Sequence, residues 1–115
     1  MGAYDTMSNL DVTPVWKRVC ALRDIPALGS RVLHSPLGDI AVFRTAGNEV
    51  FALRDRCAHK QGPLSQGIVH GKSVTCPLHG WKYDLDTGRA QAPDVGETAC
   101  FKVKVEDDLV WIALG

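Results

Sequence analysis

Two short segments of the chain each combine one cysteine with one histidine. The first reads Cys57-Ala58-His59, and the second reads Cys76-Pro77-Leu78-His79 after sixteen intervening residues. A deprotonated cysteine and a neutral histidine are both common metal ligands in proteins. The stretch around them is rich in glycine and proline, which cannot build a self-sufficient apolar core. The spacing therefore predicts a metal centre with two sulfur and two nitrogen ligands, whose formation holds these segments in place.

Two kinds of metal centre compete for this ligand set. Zinc-finger spacing normally pairs cysteine with cysteine and histidine with histidine, whereas the two types alternate within each segment here. Alternation suits a binuclear centre in which both sulfurs bind one iron and both ring nitrogens bind the other. With C-x-H followed by C-P-L-H, the chain resembles the Rieske family. The resemblance implies a Rieske-type [2Fe–2S] cluster bound by Cys57, His59, Cys76 and His79.

Mixed ligation of this kind has consequences for the chemistry. Replacing two thiolates by neutral imidazoles removes two negative charges, so an added electron meets less repulsion and the reduction potential rises to between about −150 and +300 mV. A second ring nitrogen on His59 or His79 allows oxidation to be coupled to proton loss. The resemblance implies single-electron transfer with no catalytic residue in this chain, which is expected to be inert alone and to act as a subunit of an oxidoreductase.

Residues beside the ligands separate the chain from respiratory Rieske proteins. Those proteins brace their two loops with a disulfide, and the corresponding positions here hold Gly62 and Leu78. The resemblance is therefore to soluble Rieske ferredoxins and related subunits. High-potential members also use a serine and a tyrosine to donate hydrogen bonds to cluster sulfur, and the equivalent residues here are Trp81 and Tyr83. We expect Tyr83 alone to remain as such a donor.

The sequence around the ligands resembles the small subunit of assimilatory NAD(P)H nitrite reductase. The segments that carry this resemblance are 59–71, 74–79, Trp81, 84–88 and 92–94, the last resembling a proline-bearing loop that covers the cluster. The implied partner is a large subunit with FAD, a [4Fe–4S] cluster and sirohaem, which reduces nitrite to ammonium with NAD(P)H. Gly80 departs from this family, which often has asparagine there.

Two alternatives to the nitrite reductase subunit remain. Dioxygenase ferredoxins usually have glycine at the position of Gly80, so the chain is alternatively the ferredoxin component of an aromatic ring-hydroxylating dioxygenase. Its partners would then be a ferredoxin reductase and a terminal dioxygenase. Some nitrite reductase small subunits lack the metal ligands altogether, which makes a mainly structural or interaction subunit the second alternative. This chain keeps all four ligands.

The elements that must position the ligands are predicted to be β-strands. Several short segments are rich in Val, Ile, Phe and Trp, and turn-forming residues separate them. The predicted strands are 16–20, 31–34, 39–45, 50–53, 101–106 and 109–114. No sustained apolar pattern at helical spacing is present. The expected fold is an all-β Rieske-type antiparallel sandwich or barrel with an inserted cluster-binding subdomain made of two loops.

The domain organisation follows from these strands and from the length of 115 residues, which suffices for one modest core. We predict a single Rieske domain over residues 1–115. Residues 1–14 are expected to form a flexible arm, 15–54 and 91–115 the base β-structure, and 55–90 the cluster-binding insertion.

Charge and sequence patterning limit the partners. Thirteen Lys and Arg balance thirteen Asp and Glu, so no basic field is available for nucleic acid or an anionic membrane surface. No apolar run reaches the length of a membrane span, and residues 1–14 lack the features of a signal peptide. We therefore expect a cytoplasmic location.

The remaining cysteines and histidines are predicted to be structural. Cys20 and Cys100 lie apart from the ligand pattern, and burial as a small apolar side chain is the commoner role of a solitary cysteine. His34 and His70 are expected to be surface or hydrogen-bonded residues.

Overall fold

The computed structural model describes residues 15–58, 62–78 and 80–114. These residues form ten short strands and two 3₁₀ turns, Leu22–Asp24 and Leu64–Gln66. The strands, in chain order, are β1 (Trp16–Ala21), β2 (Ser30–Ser35), β3 (Gly38–Arg44), β4 (Val50–Arg54), β5 (Ile68–His70), β6 (Ser73–Thr75), β7 (Lys82–Asp84), β8 (Cys100–Phe101), β9 (Val103–Glu106) and β10 (Leu109–Ala113). The prediction of an all-β fold is confirmed.

The strands form three sheets in which every pair is antiparallel. A four-stranded sheet has the order β2-β3-β4-β8, and a three-stranded sheet has the order β9-β10-β1. The third sheet, β5-β6-β7, contains only three-residue strands. The first two strands of this third sheet lie between the two cysteine segments in sequence, and β6 directly precedes Cys76.

The central strand β3 is covered on both of its faces. Ile40 and Val42 pack into one apolar cluster with Val110 and Ile112 of β10, whereas the alternate residues of β3 pack into a second cluster. Successive side chains of a strand point to opposite faces, so four consecutive buried residues need a layer on each side. The four-stranded sheet is therefore the middle layer between the β9-β10-β1 sheet and the cysteine-bearing part of the chain.

The second cluster belongs to the cysteine-bearing part of the chain. It joins Ala41 and Phe43 of β3 and Leu53 of β4 to both motif cysteines and to buried residues of the third sheet and its surroundings, namely Leu64, Val69, Val74, Tyr83 and Leu85. Apolar burial thus fixes the third sheet against the base of the molecule.

Some sequence predictions about the elements were wrong. Segment 101–106, predicted as one strand, is interrupted at Lys102, and the strands β5, β6 and β7 were not predicted. Three residues are too few to show the alternation that identifies a strand, so the sequence predicts loops in this part of the chain. The other predicted strands are present, with ends that differ by one residue.

Two further predictions concern single residues. Cys100 was expected to be buried, but it is exposed at the start of an edge strand, and Cys20 is half-buried. Both solitary histidines are exposed and hydrogen-bonded, as predicted: His34 Nδ1 lies 2.7 Å from Asp39 Oδ1, and His70 Nε2 lies 3.0 Å from Thr75 Oγ1.

Within the described residues, no helix is long and apolar enough to cross a membrane. The predicted arm over residues 1–14 lies outside the described part of the chain.

Candidate metal centre

The two motif cysteines lie in the same apolar cluster, although eighteen residues separate them in sequence. Cys57 follows β4 after a two-residue bend, and Cys76 directly follows β6. Each is 1% exposed. A thiol in such surroundings is shielded from bulk water, which suits a metal ligand better than a reactive surface cysteine. The fold brings together the two cysteines that the sequence predicted as sulfur ligands.

Backbone hydrogen bonds close a tight turn after each cysteine. The Cys57 N–H donates to the Gly62 carbonyl at 2.8 Å, and the Cys76 N–H donates to the Trp81 carbonyl at 2.7 Å. In the second turn the Gly80 N–H also donates to the Cys76 carbonyl at 3.1 Å. Each cysteine therefore begins a turn in which its own N–H is bonded to a carbonyl five residues later. This arrangement fixes the backbone from which each sulfur extends.

Gly80 has a backbone conformation that explains its residue type. Its φ is +72°, in the left-handed region that side chains with a Cβ rarely adopt. Glycine and asparagine are the residues that enter this region at least cost. The turn after Cys76 thus favours one of these two residue types.

Tyr83 connects β7 to the first cysteine segment. Its ring is fully buried, and its hydroxyl lies 3.1 Å from Cys57 Sγ and accepts a hydrogen bond from the Ala58 N–H at 2.9 Å. Because that N–H occupies a lone pair of the hydroxyl oxygen, the phenolic proton can point at the sulfur. Burial, followed by the hydrogen bond with Cys57, raises the pKa of Tyr83 to about 12. The phenol therefore remains a donor at neutral pH.

The sequence suggested Tyr83 as a donor to cluster sulfur, and the geometry agrees with that role. It did not suggest that the Ala58 N–H would fix the hydroxyl from the other side. No side-chain pattern could have revealed this contact, because the donor is a backbone group.

Trp81 and the segment after Gln91 lie beside the two cysteine segments. Trp81 is half-buried and packs against the apolar cluster that contains both cysteines. A Cβ placed on Gly96 would lie 3.3 Å from the Ala58 Cβ and 3.8 Å from Trp81 Cζ3. Gly96, two residues beyond the proline-bearing segment 92–94, thus lies close to Ala58 of the first cysteine segment and to Trp81, which follows the second. The role of segment 92–94 as a cover for the cluster stays a prediction.

The described residues contribute half of the predicted ligand set. His59 and His79 lie outside them, so the structure places Cys57 and Cys76 only. Within the described ranges, no three side chains of the His, Cys, Asp or Glu type are grouped as a metal site. All four cysteines are described, and no disulfide joins them. Two shielded sulfurs and a hydroxyl donor beside one of them fit the sulfur-bound half of an iron–sulfur cluster.

Comparison with protein families matches residues 15–102 to the Rieske [2Fe-2S] domain. Ferredoxin CarAc of Metapseudomonas resinovorans is 33% identical over 101 residues, which cover 86% of this chain and 94% of that ferredoxin. The ferredoxin component of the naphthalene 1,2-dioxygenase system of Pseudomonas aeruginosa is 33% identical and covers 90% and 99% of the two chains. The similarity to these small ferredoxins extends over nearly their full length.

A larger protein also matches. The 4beta-methylsterol monooxygenase of Methylococcus capsulatus is 40% identical over 88 residues, which are 67% of this chain but 24% of that protein. This chain therefore spans about a quarter of the length of that relative.

Two of the solved structures with the same fold come from different kinds of system. A chain in the complex of reduced oxygenase and oxidized ferredoxin in carbazole 1,9a-dioxygenase has a TM-score of 0.77 and 28% identity, covering 88% of this chain and 94% of its own. A protein from Mycobacterium tuberculosis described as an NADH-dependent nitrite reductase small subunit has a TM-score of 0.81, covering 90% and 98%. It is 19% identical, so this second likeness concerns the fold alone.

Proposed function

This chain belongs to the Rieske [2Fe–2S] family, and on that premise we propose that Cys57, His59, Cys76 and His79 bind its cluster and that it passes single electrons to a protein partner. The observation that carries the proposal is the convergence of two buried cysteines, 1% exposed each, with the Tyr83 hydroxyl 3.1 Å from one of their sulfurs. The bound cluster supplies a one-electron acceptor and donor.

The described residues around the sulfurs have two roles in this proposal. The apolar cluster keeps water away from Cys57 and Cys76, which lowers the polarity around the metal site. The Tyr83 hydroxyl donates to the Cys57 sulfur, and this hydrogen bond strengthens as negative charge on the sulfur increases. Tyr83 therefore stabilises the reduced state more than the oxidised state.

As its specific role, we propose the small subunit of assimilatory NAD(P)H nitrite reductase. The support is the residue pattern around the ligands, especially segments 59–71 and 74–79. Gly80 departs from that pattern, but its backbone conformation accounts for this departure. A φ of +72° accepts either glycine or asparagine, so this position does not discriminate between the two families.

A second candidate is the ferredoxin component of a ring-hydroxylating dioxygenase. It is favoured by the 33% identity to ferredoxin CarAc over 94% of that protein's length. Both candidates use the same metal site and differ in the partner that receives or donates the electron. The choice between them is therefore a question about protein partners.

Reconstitution with purified partners tests the function. The full chain, mixed with a flavin and sirohaem nitrite reductase large subunit, is expected to increase nitrite-dependent NAD(P)H oxidation. Mixed with a dioxygenase and its reductase, it is expected to support little aromatic hydroxylation. The reverse result would establish the ferredoxin role. A Cys57→Ala variant serves as the matched control, because retained stimulation without the cluster would identify a structural subunit instead.

Deletion of the gene provides an independent test in cells. The nitrite reductase role predicts loss of growth on nitrate or nitrite as sole nitrogen source, with growth on ammonium unchanged. Normal growth on nitrite together with loss of growth on an aromatic carbon source would contradict it and support the dioxygenase ferredoxin.

A further inference from the structure

Asp55 and Ser65 form a two-point hydrogen-bonded clamp on either side of the first cysteine segment. Asp55 Oδ1 accepts from the Ser65 N–H at 2.6 Å, and Asp55 Oδ2 accepts from the Ser65 hydroxyl at 2.7 Å. Both carboxylate oxygens of Asp55 thus accept hydrogen bonds from Ser65, ten positions later in the chain. Because the acceptor is a carboxylate, these bonds are stronger than those between neutral groups.

Both ends of the clamp are attached to the middle sheet. The Asp55 N–H donates to the Asp39 carbonyl in β3 at 2.8 Å. The Ser65 carbonyl accepts from the Ser30 hydroxyl, at the start of β2, at 2.9 Å. Ser65 lies in the 3₁₀ turn Leu64–Gln66, whose Leu64 is fully buried in the same apolar cluster as Cys57. The chain therefore leaves the sheet at Asp55 and returns to it at Ser65.

Cys57 lies two residues beyond Asp55, and its N–H is bonded to Gly62, three residues before Ser65. The clamp therefore encloses the turn that carries Cys57. A covalent brace between the two cysteine segments is absent, since all four cysteines are described and none forms a disulfide. Side-chain hydrogen bonds at the base of the turn can supply the restraint that this brace would otherwise give.

We propose that Asp55 is a positioning residue for the metal centre: its hydrogen bonds to Ser65 join the two ends of the segment that carries Cys57 and so slow release of the cluster. The inference rests on the proposed role of Cys57 as a ligand. In this proposal Asp55 acts through the backbone that carries the sulfur. The sequence alone did not identify this role, because an aspartate and a serine ten residues apart have no recognisable spacing.

The test is the rate at which the full-length protein loses its cluster to an iron chelator under anaerobic conditions, followed by visible absorption. Asp55→Ala should speed the loss at least about tenfold, which corresponds to about 1.4 kcal/mol, and should broaden the electron paramagnetic resonance spectrum of the reduced protein. Asp55→Asn should restore a rate within about threefold of the parent protein, because an amide still accepts from the Ser65 N–H and donates to its hydroxyl. Ser65→Ala, which loses the hydroxyl and keeps the N–H, should have an intermediate rate.

Ser30→Ala is the matched control for general destabilisation. It removes a hydrogen bond to Ser65 on the side of the sheet and leaves the Asp55 contacts intact. It is expected to lower thermal stability with an unchanged spectrum and a rate close to that of the parent. Equal acceleration by Ser30→Ala and Asp55→Ala would overturn the inference, as would no acceleration by Asp55→Ala. If Asp55→Ala fails to fold, the rates of cluster loss from Ser65→Ala and Ser30→Ala are compared instead. Faster loss from Ser65→Ala supports the inference, and equal rates contradict it.

The failure of this inference and the failure of the proposed function give different results. A parent protein that contains zinc and no acid-labile sulfide would contradict the proposed function itself. If the parent protein has a normal cluster and substitution of Asp55 does not change the rate of cluster release, only the positioning role is contradicted.

Discussion

The side chain of Leu78 lies directly over Gly62. A Cβ placed on Gly62 would be 2.6 Å from Leu78 Cδ1 and 2.8 Å from its Cγ, and the same point is 3.7 Å from Cys76 Sγ. These are the two positions at which respiratory Rieske proteins carry their bracing cysteines. Here an apolar contact between a leucine and a residue without a side chain occupies that place. Leu78 is 52% exposed, so its contact with Gly62 is on the surface side of the site.

We predict that Gly62→Ala displaces Leu78 and weakens retention of the cluster. The added methyl group cannot share the space of Leu78 Cδ1, so the leucine must rotate or the two segments must separate, at a cost of about 1–3 kcal/mol. The measurement is cluster loss to a chelator together with the free energy of unfolding. The double variant Gly62→Ala, Leu78→Ala should retain its cluster better than Gly62→Ala does, because the smaller side chain at position 78 removes the clash. A double variant as labile as Gly62→Ala would contradict this explanation.

Tyr83→Phe should lower the midpoint potential. Loss of the hydroxyl removes the donor 3.1 Å from Cys57 Sγ, and that donor stabilises the more negative reduced state. The variant should also lose about 1 kcal/mol of unfolding free energy, since the Ala58 N–H loses its acceptor. Protein-film voltammetry measures the potential, and chemical denaturation measures the stability.

Val74→Ala is a control for the tyrosine substitution. Val74 is the cross-strand neighbour of Tyr83 and is buried in the same cluster. Its truncation creates a cavity and destabilises the protein without removing a donor to sulfur. An equal fall in potential in both variants would mean that the shift arises from loosened packing.

Cys57→Ala and Cys76→Ala should each abolish the red-brown colour of the purified protein. Each change removes one of the two sulfur ligands proposed for the cluster, and metal binding is coupled to the ordering of the residues around it. Iron and acid-labile sulfide analysis should fall from two of each per chain to near zero. Cys20→Ala and Cys100→Ala are matched controls that should keep the full cluster, since both cysteines lie outside the buried apolar cluster of the site. Loss of the cluster in either control would show that the ligand assignment is incomplete.

The midpoint potential of the protein should lie near the low end of the Rieske range, closer to about −150 mV than to +300 mV. Tyr83 provides one hydroxyl donor to sulfur, but Trp81 occupies the position where high-potential members have a second, and no disulfide braces the described cysteine segments. Voltammetry at neutral pH checks this value. A potential well above zero would mean that other donors compensate for the missing hydroxyl.

The sequence by itself was enough to predict the ligands of the site. The order Cys57, His59, Cys76 and His79 indicates mixed sulfur and nitrogen ligation on its own, because ligand types and their local spacing are properties of short segments. The all-β fold could also be predicted from the sequence, since β3 and its neighbours are long enough to show their apolar pattern.

Only the tertiary structure decided which residues support the ligands. Tyr83 reaches Cys57 across 26 positions, through a contact that depends on how the third sheet packs against the middle one, and Asp55 reaches Ser65 across 10. Its three-residue strands gave no local signal, because their stability comes from burial of Val69, Val74 and Tyr83 rather than from their own pairing. Local patterns specify ligands and strands, whereas contacts between distant segments arise only when the chain has folded.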